Sequence, residues 1–292
     1  MKTVNSVSGG KTSAYIAAHY PADYDIFCLV RTNDKKCKFP DSKIRQIVSD
    51  KLGVDFIGTL EQDEIIYTML DLEQYIGRKI YWLTGKPFDE IIIRPGGKKF
   101  LPNKLMRFCT IEMKLRPKQN WWRKNINEPI ECRIGFRANE QRRAKSMLSR
   151  TELDGFLYEK FIIGENKSKG LYHKIYKKYE SVKYEKPTFP LIEDGIYNDT
   201  IQKFWKDKPV RFAYANNCVG CFHRSPIFLK KMQTKSPNKF QWFVDAEKNL
   251  GYSGKNGGFK DGIKYKEIKN WNTQAELFDD DFNDCDSGYC GL

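Results

Sequence analysis

Short apolar runs and amphipathic segments alternate along residues 1–60. The apolar runs have the length of buried strands, and in the segments between them apolar residues recur at helical spacing. The predicted elements are a strand at 2–6, a helix at 13–20, a strand at 25–30, a helix at 41–52 and a strand at 55–59. Strands that alternate with helices are typical of a parallel sheet covered by helices on both faces. The sequence therefore predicts an α/β fold with a Rossmann-like, doubly wound and mainly parallel sheet.

The middle of the chain continues this pattern with less regularity. Further elements are predicted as strands at 90–94 and 129–135, a helix at 110–124 with a break at Pro117, and a helix that begins at Glu140. The segment 158–186 is rich in lysine and tyrosine without a clear period, so it is either irregular or an added β segment. The segment 189–205 predicts a short strand, a turn and a helix that begins at Asn198 or Asp199.

The last seventy or so residues have a different character. Helices are predicted at 226–233 and 238–250, followed by a loop rich in glycine and lysine and then an acidic tail. We therefore expect two units, an α/β domain at 1–215 and a small helical unit at 216–292 that contains cysteines.

The charge and composition narrow the class of partner. The chain has 51 Lys and Arg against 37 Asp and Glu, and its net charge of +14 favours polyanions such as nucleotides or nucleic acid. The lysines are scattered, however, as they are when they only solvate a surface. Because no apolar run approaches the roughly twenty residues of a membrane span, and residues 1–20 do not have the pattern of a signal peptide, we expect a cytoplasmic protein without a membrane partner. The oligomeric state is left open.

The loop after the first strand has the composition of an anion site. It combines backbone N–H groups at a helix N-terminus with three hydroxyls and one ammonium group, which suits phosphate or pyrophosphate. Its two glycines allow the backbone to approach an anion closely. The predicted phosphate-binding residues are Ser8, Gly9, Gly10, Lys11, Thr12 and Ser13.

Two other interpretations fit this loop. The common P-loop, G-x-x-x-x-G-K-[ST], fits its end, but Asn5 stands where the first glycine belongs. Alternatively, the glycines serve only the turn from strand to helix.

Eight cysteines in a chain without an export signal favour ligand or catalytic roles over disulfides. Cys218 and Cys221 form a C-x-x-C motif, and Cys285 and Cys290 form C-x4-C. The two pairs supply four thiolates, the number needed for structural zinc or an iron–sulfur cluster. A C-x-x-C motif also suits a redox dithiol or a tight turn. His223, close to this motif, is a ligand, a proton carrier or a surface residue.

Four segments together resemble the N-type ATP pyrophosphatases, the adenine nucleotide alpha hydrolase superfamily that includes the phosphoadenylyl-sulfate (PAPS) reductases. The glycine loop is similar to the PP-loop of this superfamily. The other segments follow in the family's order: RFCTIEMKLRP at 107–117, IGFRANEQRR at 134–143 and FPLIEDGIYNDTIQKFW at 189–205. This resemblance covers residues 4–205 and implies a Rossmann-like fold of the HUP type.

Basic residues in these segments are candidates to stabilise charge on phosphate oxygens during a reaction at a nucleotide phosphoryl group. The predicted catalytic residues are Lys11, Arg107, Lys114, Arg137 and Arg143. Gly135 directly follows an apolar strand, so the chain can turn there at the carboxyl edge of the sheet, where open α/β sheets bind ligands. The resemblance also implies that adenine lies near Arg31, Thr32 and Asn33.

For the cysteines, the resemblance implies iron–sulfur ligands at Cys109, Cys218 and Cys221, with Cys285 or Cys290 as the fourth. The terminal sequence YCGL also resembles a sulfonucleotide reductase motif in which the cysteine is a nucleophile. Neighbouring aspartates oppose a lowered thiol pKa, so Cys290 is predicted to be a ligand.

The predicted function is an ATP pyrophosphatase that uses Mg²⁺, cleaves the α–β bond of ATP and adenylates an acceptor. A nucleic acid, tRNA or DNA, is a candidate acceptor for sulfur transfer, which suits the positive charge. The first alternative is a PAPS or adenylyl-sulfate reductase that releases sulfite, and the second is a non-catalytic nucleotide-binding module. The expected cofactors are ATP or PAPS with Mg²⁺, and an iron–sulfur cluster or zinc on four cysteines.

Overall fold

The computed structural model describes residues 1–93, 97–167, 175–248, 250 and 258–271. Its strands are β1 (Lys2–Val7), β2 (Tyr24–Leu29), β3 (Arg31–Thr32), β4 (Gly58–Thr59), β5 (Ile80–Thr84), β6 (Ile130–Arg133), β7 (Leu157–Lys167) and β8 (Ile175–Thr188). Its α-helices are α1 (Lys11–His19), α2 (Ser42–Leu52), α3 (Glu64–Ile76), α4 (Phe88–Ile91), α5 (Phe108–Thr110), α6 (Arg116–Asn125), α7 (Gln141–Leu148), α8 (Pro190–Glu193), α9 (Asn198–Trp205), α10 (Pro226–Lys235), α11 (Pro237–Ala246) and α12 (Tyr265–Asn270). A π-helical turn at Ile111–Leu115 joins α5 to α6, and 3₁₀ turns lie at Lys35–Cys37 and Ala138–Glu140.

The main sheet has six strands in the order β5-β2-β1-β6-β8-β7. Neighbouring strands are parallel, except that β7 runs antiparallel to β8. From β1 the chain builds the sheet outwards through β2 and β5, and it later returns to the other side of β1 with β6 and β8. The winding direction therefore reverses between β1 and β6, where Val4 pairs with Cys132 and Asn5 with Arg133. The predicted α/β fold with a mainly parallel sheet is confirmed, and it is compatible with a Rossmann-like arrangement.

Local signals set several helix boundaries. The Asp41 carboxylate caps α2, because its Oδ1 accepts hydrogen bonds from the N–H groups of Lys43 at 2.8 Å and Ile44 at 3.1 Å. The same helix ends at Gly53, whose φ of +67° is typical of a C-terminal cap. Helix α9 begins at Asn198, as the sequence predicted.

Three predicted strands differ in the structure. Only Gly58–Thr59 of the segment 55–59 is a strand, and it pairs with β3 outside the main sheet. The predicted strand at 90–94 is wrong, because Phe88–Ile91 is helical; Pro87 and the acidic residues after it favour a helix start. Strand β5 occupies the sheet position beyond β2 instead. The short strand predicted after residue 189 is also wrong, since Pro190–Glu193 forms helix α8.

In the lysine- and tyrosine-rich segment 158–186, the described residues 158–167 and 175–186 form an added β segment. Strands β7 and β8 form a long antiparallel pair, and only the last part of β8, from Glu185 to Thr188, pairs with β6. Most of β8 therefore lies beyond the amino-terminal end of β6.

The C-terminal helices pack onto the α/β part of the chain. Residues of α10, α11 and α12 share one hydrophobic core with Val30, Leu60 and Phe88. Lys239 of α11 donates to the Glu61 carbonyl at 2.6 Å and to Asp63 Oδ1 at 2.7 Å. The domain boundary after residue 215 stays a prediction, and these contacts cross it. In the described ranges, no helix combines the length and apolar character needed to cross a membrane.

Candidate nucleotide site and cysteine cavity

The glycine loop connects β1 to α1 beside the point where the sheet reverses direction. Gly9 has a φ of +79°, which side chains rarely allow, and a Cβ there would lie 2.8 Å from Ile65 Cγ2. The Ser13 hydroxyl accepts a hydrogen bond from the Ser8 N–H at 3.1 Å and donates to the Gly10 carbonyl at 3.0 Å. Ser8 and Ser13 therefore hold the loop in a tight turn around the start of α1.

The first turn of α1 presents hydrogen-bond donors to this loop. The first N–H groups of an α-helix have no acceptor inside the helix, and in the described part of the chain no side chain caps α1. The Thr12 side chain is 1% exposed, and its hydroxyl has no hydrogen-bond partner among the described residues. A buried hydroxyl without a partner costs about 1–3 kcal/mol. An acceptor supplied by a ligand would offset that cost.

The segment after β6 packs against the first turn of α1. A Cβ on Gly135 would lie 3.3 Å from Thr12 Cγ2, so only glycine lets the two segments approach this closely without displacement. Arg137 Nε donates to Glu140 Oε2 at 3.0 Å, and Arg143 donates to the other oxygen of the same carboxylate. Glu140 therefore orients two of the arginines that the sequence predicted to be catalytic.

The Lys11 side chain contacts the segment that contains α9. Its ammonium donates to Gln202 Oε1 and lies 5.9 Å from the centre of the Phe212 ring. The main-chain carbonyl of Lys11 accepts a hydrogen bond from Trp205 Nε1 at 3.0 Å. The bond to Gln202 uses one of the three N–H donors of the Lys11 ammonium.

A cleft next to the loop is lined by two lysines. Its lining residues are Ser6, Val7, Ser8, Cys28, Thr110, Lys114, Leu115 and Lys118. Lys114 Nζ lies 3.3 Å from Glu61 Oε1, and the buried Lys118 Nζ lies 2.7 Å from Glu185 Oε2. The structure thus brings Lys114 and Lys118 close to the glycine loop, and the catalytic role of Lys114 stays a prediction.

The predicted adenine-binding residues have structural partners of their own. The Thr32 hydroxyl lies 2.8 Å from Asp89 Oδ2, and the Asn33 N–H donates to the same oxygen at 2.5 Å. Trp242 Nε1 donates to Asp89 Oδ1 at 2.8 Å. Arg31 Nε donates to the Thr84 hydroxyl at 3.1 Å. Asp89 therefore fixes the loop after β3 to helix α11.

Three of the predicted metal ligands meet in one place. A cavity of about 50 Å³, called here the cysteine cavity, is lined by Val30, Phe88, Cys109, Thr110, Met113, Lys114, Asn217, Cys218, Gly220, Cys221, Phe222, His223, Phe243 and Phe259. Cys109 is in α5, whereas Cys218, Cys221 and His223 are in the loop before α10. Because Lys114 lines both the cysteine cavity and the cleft, the two spaces adjoin.

Electrostatics in the cysteine cavity depend on burial and on nearby cations. Burial raises the pKa of Cys218 well above its usual value and also raises that of Cys109. Burial lowers the pKa of His223 to about 4, and the positive charge of Arg107 acts in the same direction. Arg107, predicted to act on phosphate, is therefore close to this cavity. A bound cation would oppose the burial effect by stabilising thiolates.

The donor atoms that line this cavity are of the kinds that bind metals, although the present spacing of these side chains is not that of a metal site. Thiolates and imidazole nitrogen are the usual ligands of zinc. His223 Nε2 is buried and has no hydrogen-bond partner within the described ranges. Over the same ranges, no group of three His, Cys, Asp or Glu side chains already stands in the arrangement of a metal site. Cys285 and Cys290, the predicted sources of a fourth ligand, lie outside the described residues.

Two carboxylates at the site were not predicted from the sequence. Glu61 is 1% exposed and orients Lys114, and Asp89 holds the Thr32 loop. Each lies a few residues after a short apolar run, in a segment that carries several acidic residues. That position was the available signal, but it did not distinguish these two from the neighbouring Asp and Glu.

Comparisons with known proteins give no assignment: no protein-family model, no curated protein and no solved structure matches the chain.

Proposed function

We propose that the chain binds an adenine nucleotide with its phosphates at the Ser8–Ser13 loop and cleaves the α–β phosphate bond of ATP to adenylate an acceptor. One observation carries this proposal. The uncapped first turn of α1 and the unpartnered Thr12 hydroxyl, both taken over the described residues, lie beside Gly135, where the sheet reverses direction between β1 and β6. A phosphate group would satisfy these donors together.

The predicted chemistry requires positive charge around the phosphates. In the proposed reaction an acceptor oxygen attacks the α-phosphorus, the bond to the bridging oxygen breaks, and pyrophosphate leaves with the negative charge. Arg137, Arg143 and Lys114 would stabilise the charge on the phosphate oxygens. Their carboxylate partners, Glu140 and Glu61, hold the cationic groups in fixed directions. Mg²⁺ would enter with the nucleotide as its counterion.

The acceptor in this proposal is a nucleic acid, tRNA or DNA, that is activated for sulfur transfer. The net charge of +14 supports a polyanionic partner. The proposal also includes a metal ion or iron–sulfur cluster on Cys109, Cys218 and Cys221, which line one cavity beside the cleft. There it would lie close to the reacting nucleotide, because Lys114 borders both spaces.

Nucleotide binding is tested by isothermal titration with ATP, PAPS and pyrophosphate, and the reaction by pyrophosphate release from ATP with and without Mg²⁺. Gly9→Ala should abolish binding, because the new Cβ meets Ile65 and the residue must keep a left-handed backbone. Gly77→Ala is the matched control. Gly77 also has a positive φ, +62°, but no described atom lies within 4 Å of a Cβ added there.

The control should lose about 1–2 kcal/mol of stability from backbone strain alone, without the clash with Ile65, and bind ATP normally. Sulfite release from PAPS with thioredoxin, in place of pyrophosphate release from ATP, would identify a reductase. Binding without either product would identify a non-catalytic module. Absence of nucleotide binding would contradict the proposal as a whole.

A further inference from the structure

We propose that His223 is the fourth protein ligand of a zinc ion in the cysteine cavity, with Cys109, Cys218 and Cys221 as the other three. This inference rests on the metal site included in the proposed function and is independent of the nucleotide reaction. It replaces a terminal cysteine by an imidazole as the fourth donor.

The first support is the position of the four side chains. All of them line the same cavity. His223 follows Cys221 by two residues in a compact turn, in which the Cys221 N–H donates to the Cys218 carbonyl and the Arg224 N–H donates to the Cys221 carbonyl, both at 3.0 Å. The two thiols and the imidazole therefore belong to one short backbone turn.

The second support is the state of the imidazole. His223 Nε2 is buried, and within the described part of the chain it has no hydrogen-bond partner. Leaving such a nitrogen unpaired costs free energy, and a bond to zinc would remove that cost. Most buried polar groups in proteins have partners, so this nitrogen indicates a ligand.

The third support is the way the turn is held. Lys260 Nζ donates to the carbonyls of Phe222 at 3.2 Å and Arg224 at 3.0 Å, and the Tyr265 hydroxyl donates to the Gly220 carbonyl at 2.9 Å. The Val219 N–H donates to the Leu60 carbonyl at 2.8 Å. Contacts of this kind orient metal ligands and strengthen binding.

The charges around the cavity are complementary to the proposed site. Zinc with three thiolates and a neutral imidazole has a net charge of −1. Lys260 Nζ lies at the carbonyls of Phe222 and Arg224, the residues on either side of His223, and Arg224 itself adds a second positive charge next to it in the chain. These cations would stabilise the anionic zinc site.

The donor types favour zinc over a cluster. Three cysteines and one histidine are a common structural zinc set, whereas iron–sulfur clusters are generally held by four thiolates. Over the described ranges no three such side chains already stand in metal-binding arrangement. Binding therefore includes rotation of the thiols and the imidazole into the cavity between staggered rotamers.

The test uses the full chain, freed of metal by a chelator and titrated with Zn²⁺ and with Co²⁺, whose absorption reports the ligands. The wild-type chain and the Cys285→Ser/Cys290→Ser variant should each bind one ion with the absorption of a tetrahedral site. His223→Ala should weaken binding by more than the ~10–100-fold typical of losing an outer partner. His19→Ala is the matched control and should bind as wild type, since His19 stacks on Tyr15 at the end of α1.

His223→Cys keeps the inference testable if His223→Ala does not fold. It should retain the ion and move the Co²⁺ d–d bands to lower energy, because a thiolate is a weaker-field ligand than an imidazole. Any of three results would overturn the inference. These are unchanged Co²⁺ bands in His223→Cys, tight metal binding in His223→Ala, and loss of the ion in the Cys285→Ser/Cys290→Ser variant. So would iron and sulfide in place of zinc in the purified protein.

Titration of the same samples with ATP separates the two proposals. If zinc binding fails while ATP still binds, His223 is not a ligand and the nucleotide site stands. If zinc binds as expected while ATP does not, the nucleotide proposal fails and the zinc inference is supported.

Discussion

The Thr12 hydroxyl offers the sharpest test of the glycine loop. Thr12→Val replaces the hydroxyl by a methyl group of similar size, at a side chain that is 1% exposed and whose oxygen has no hydrogen-bond partner in the described ranges. In the absence of ligand the variant should be more stable. Removing a buried, unsatisfied hydroxyl relieves a penalty of about 1–3 kcal/mol; because this hydroxyl can rotate, we expect about 1 kcal/mol, the lower end of that range.

Nucleotide binding should change in the opposite direction. A hydrogen bond to a charged phosphate contributes about 1.5–3 kcal/mol, and each 1.4 kcal/mol is about tenfold in Kd. We therefore expect Thr12→Val to bind ATP about 10- to 150-fold more weakly. Urea unfolding gives the stability, and isothermal titration calorimetry gives the affinity.

Thr68→Val is the matched control. Thr68 is also fully buried, but its hydroxyl donates to the Glu64 carbonyl at 2.9 Å within α3. This control should lose some stability and bind ATP normally. A Thr12→Val protein that is less stable than wild type and binds ATP equally well would refute the assignment of this hydroxyl to a ligand.

Three further predictions concern buried or ion-paired ionisable side chains. Lys118→Met should destabilise the chain by about 3–5 kcal/mol in urea unfolding, because it leaves the buried Glu185 charge unpaired; the double variant Lys118→Met/Glu185→Leu should recover most of this, and no recovery would argue against a coupled pair. Burial raises the pKa of Asp25 above its ordinary 3.8, so the folded chain binds that proton more tightly and the free energy of unfolding should fall as pH rises through the raised pKa. Asp25→Asn should remove this dependence of the unfolding free energy on pH. An unchanged dependence would show that Asp25 is not its source. Hydrogen bonds from Arg211 lower the pKa of Asp71, so their stabilisation is present at pH 7 and lost as pH falls through the lowered pKa; Arg211→Gln should cost about 1 kcal/mol or less at pH 7, and an equal cost at pH 7 and in acid would show that charge is not involved.

Local patterns were sufficient for much of the fold. The order of β1, α1, β2 and α2 follows from short apolar runs between amphipathic segments, and the Asp41 cap of α2 follows from residues next to it in the chain. The glycine loop was also predictable, since the turn from a strand into a helix is encoded by adjacent residues. These features depend on interactions over a few residues, which the sequence displays directly.

Short apolar runs misled the same reasoning where tertiary contacts decide the conformation. The isoleucines at 91–93 suit a buried strand or a buried helix equally, because periodicity cannot separate the two in so few residues. The chain places β5 next to β2 and turns 88–91 into α4, whose Phe88 and Ile91 enter the core shared with the C-terminal helices.

The sequence by itself determined which residue types are available for chemistry: a glycine loop for an anion, basic segments, and cysteines in pairs. Only the tertiary structure decided which of them meet. It brought Cys109 to Cys218 and Cys221, joined Lys114 to Glu61, and turned Lys11 towards Gln202. The physical reason is that such contacts depend on how helices and strands far apart in the chain pack around a common core, and no local pattern records that packing.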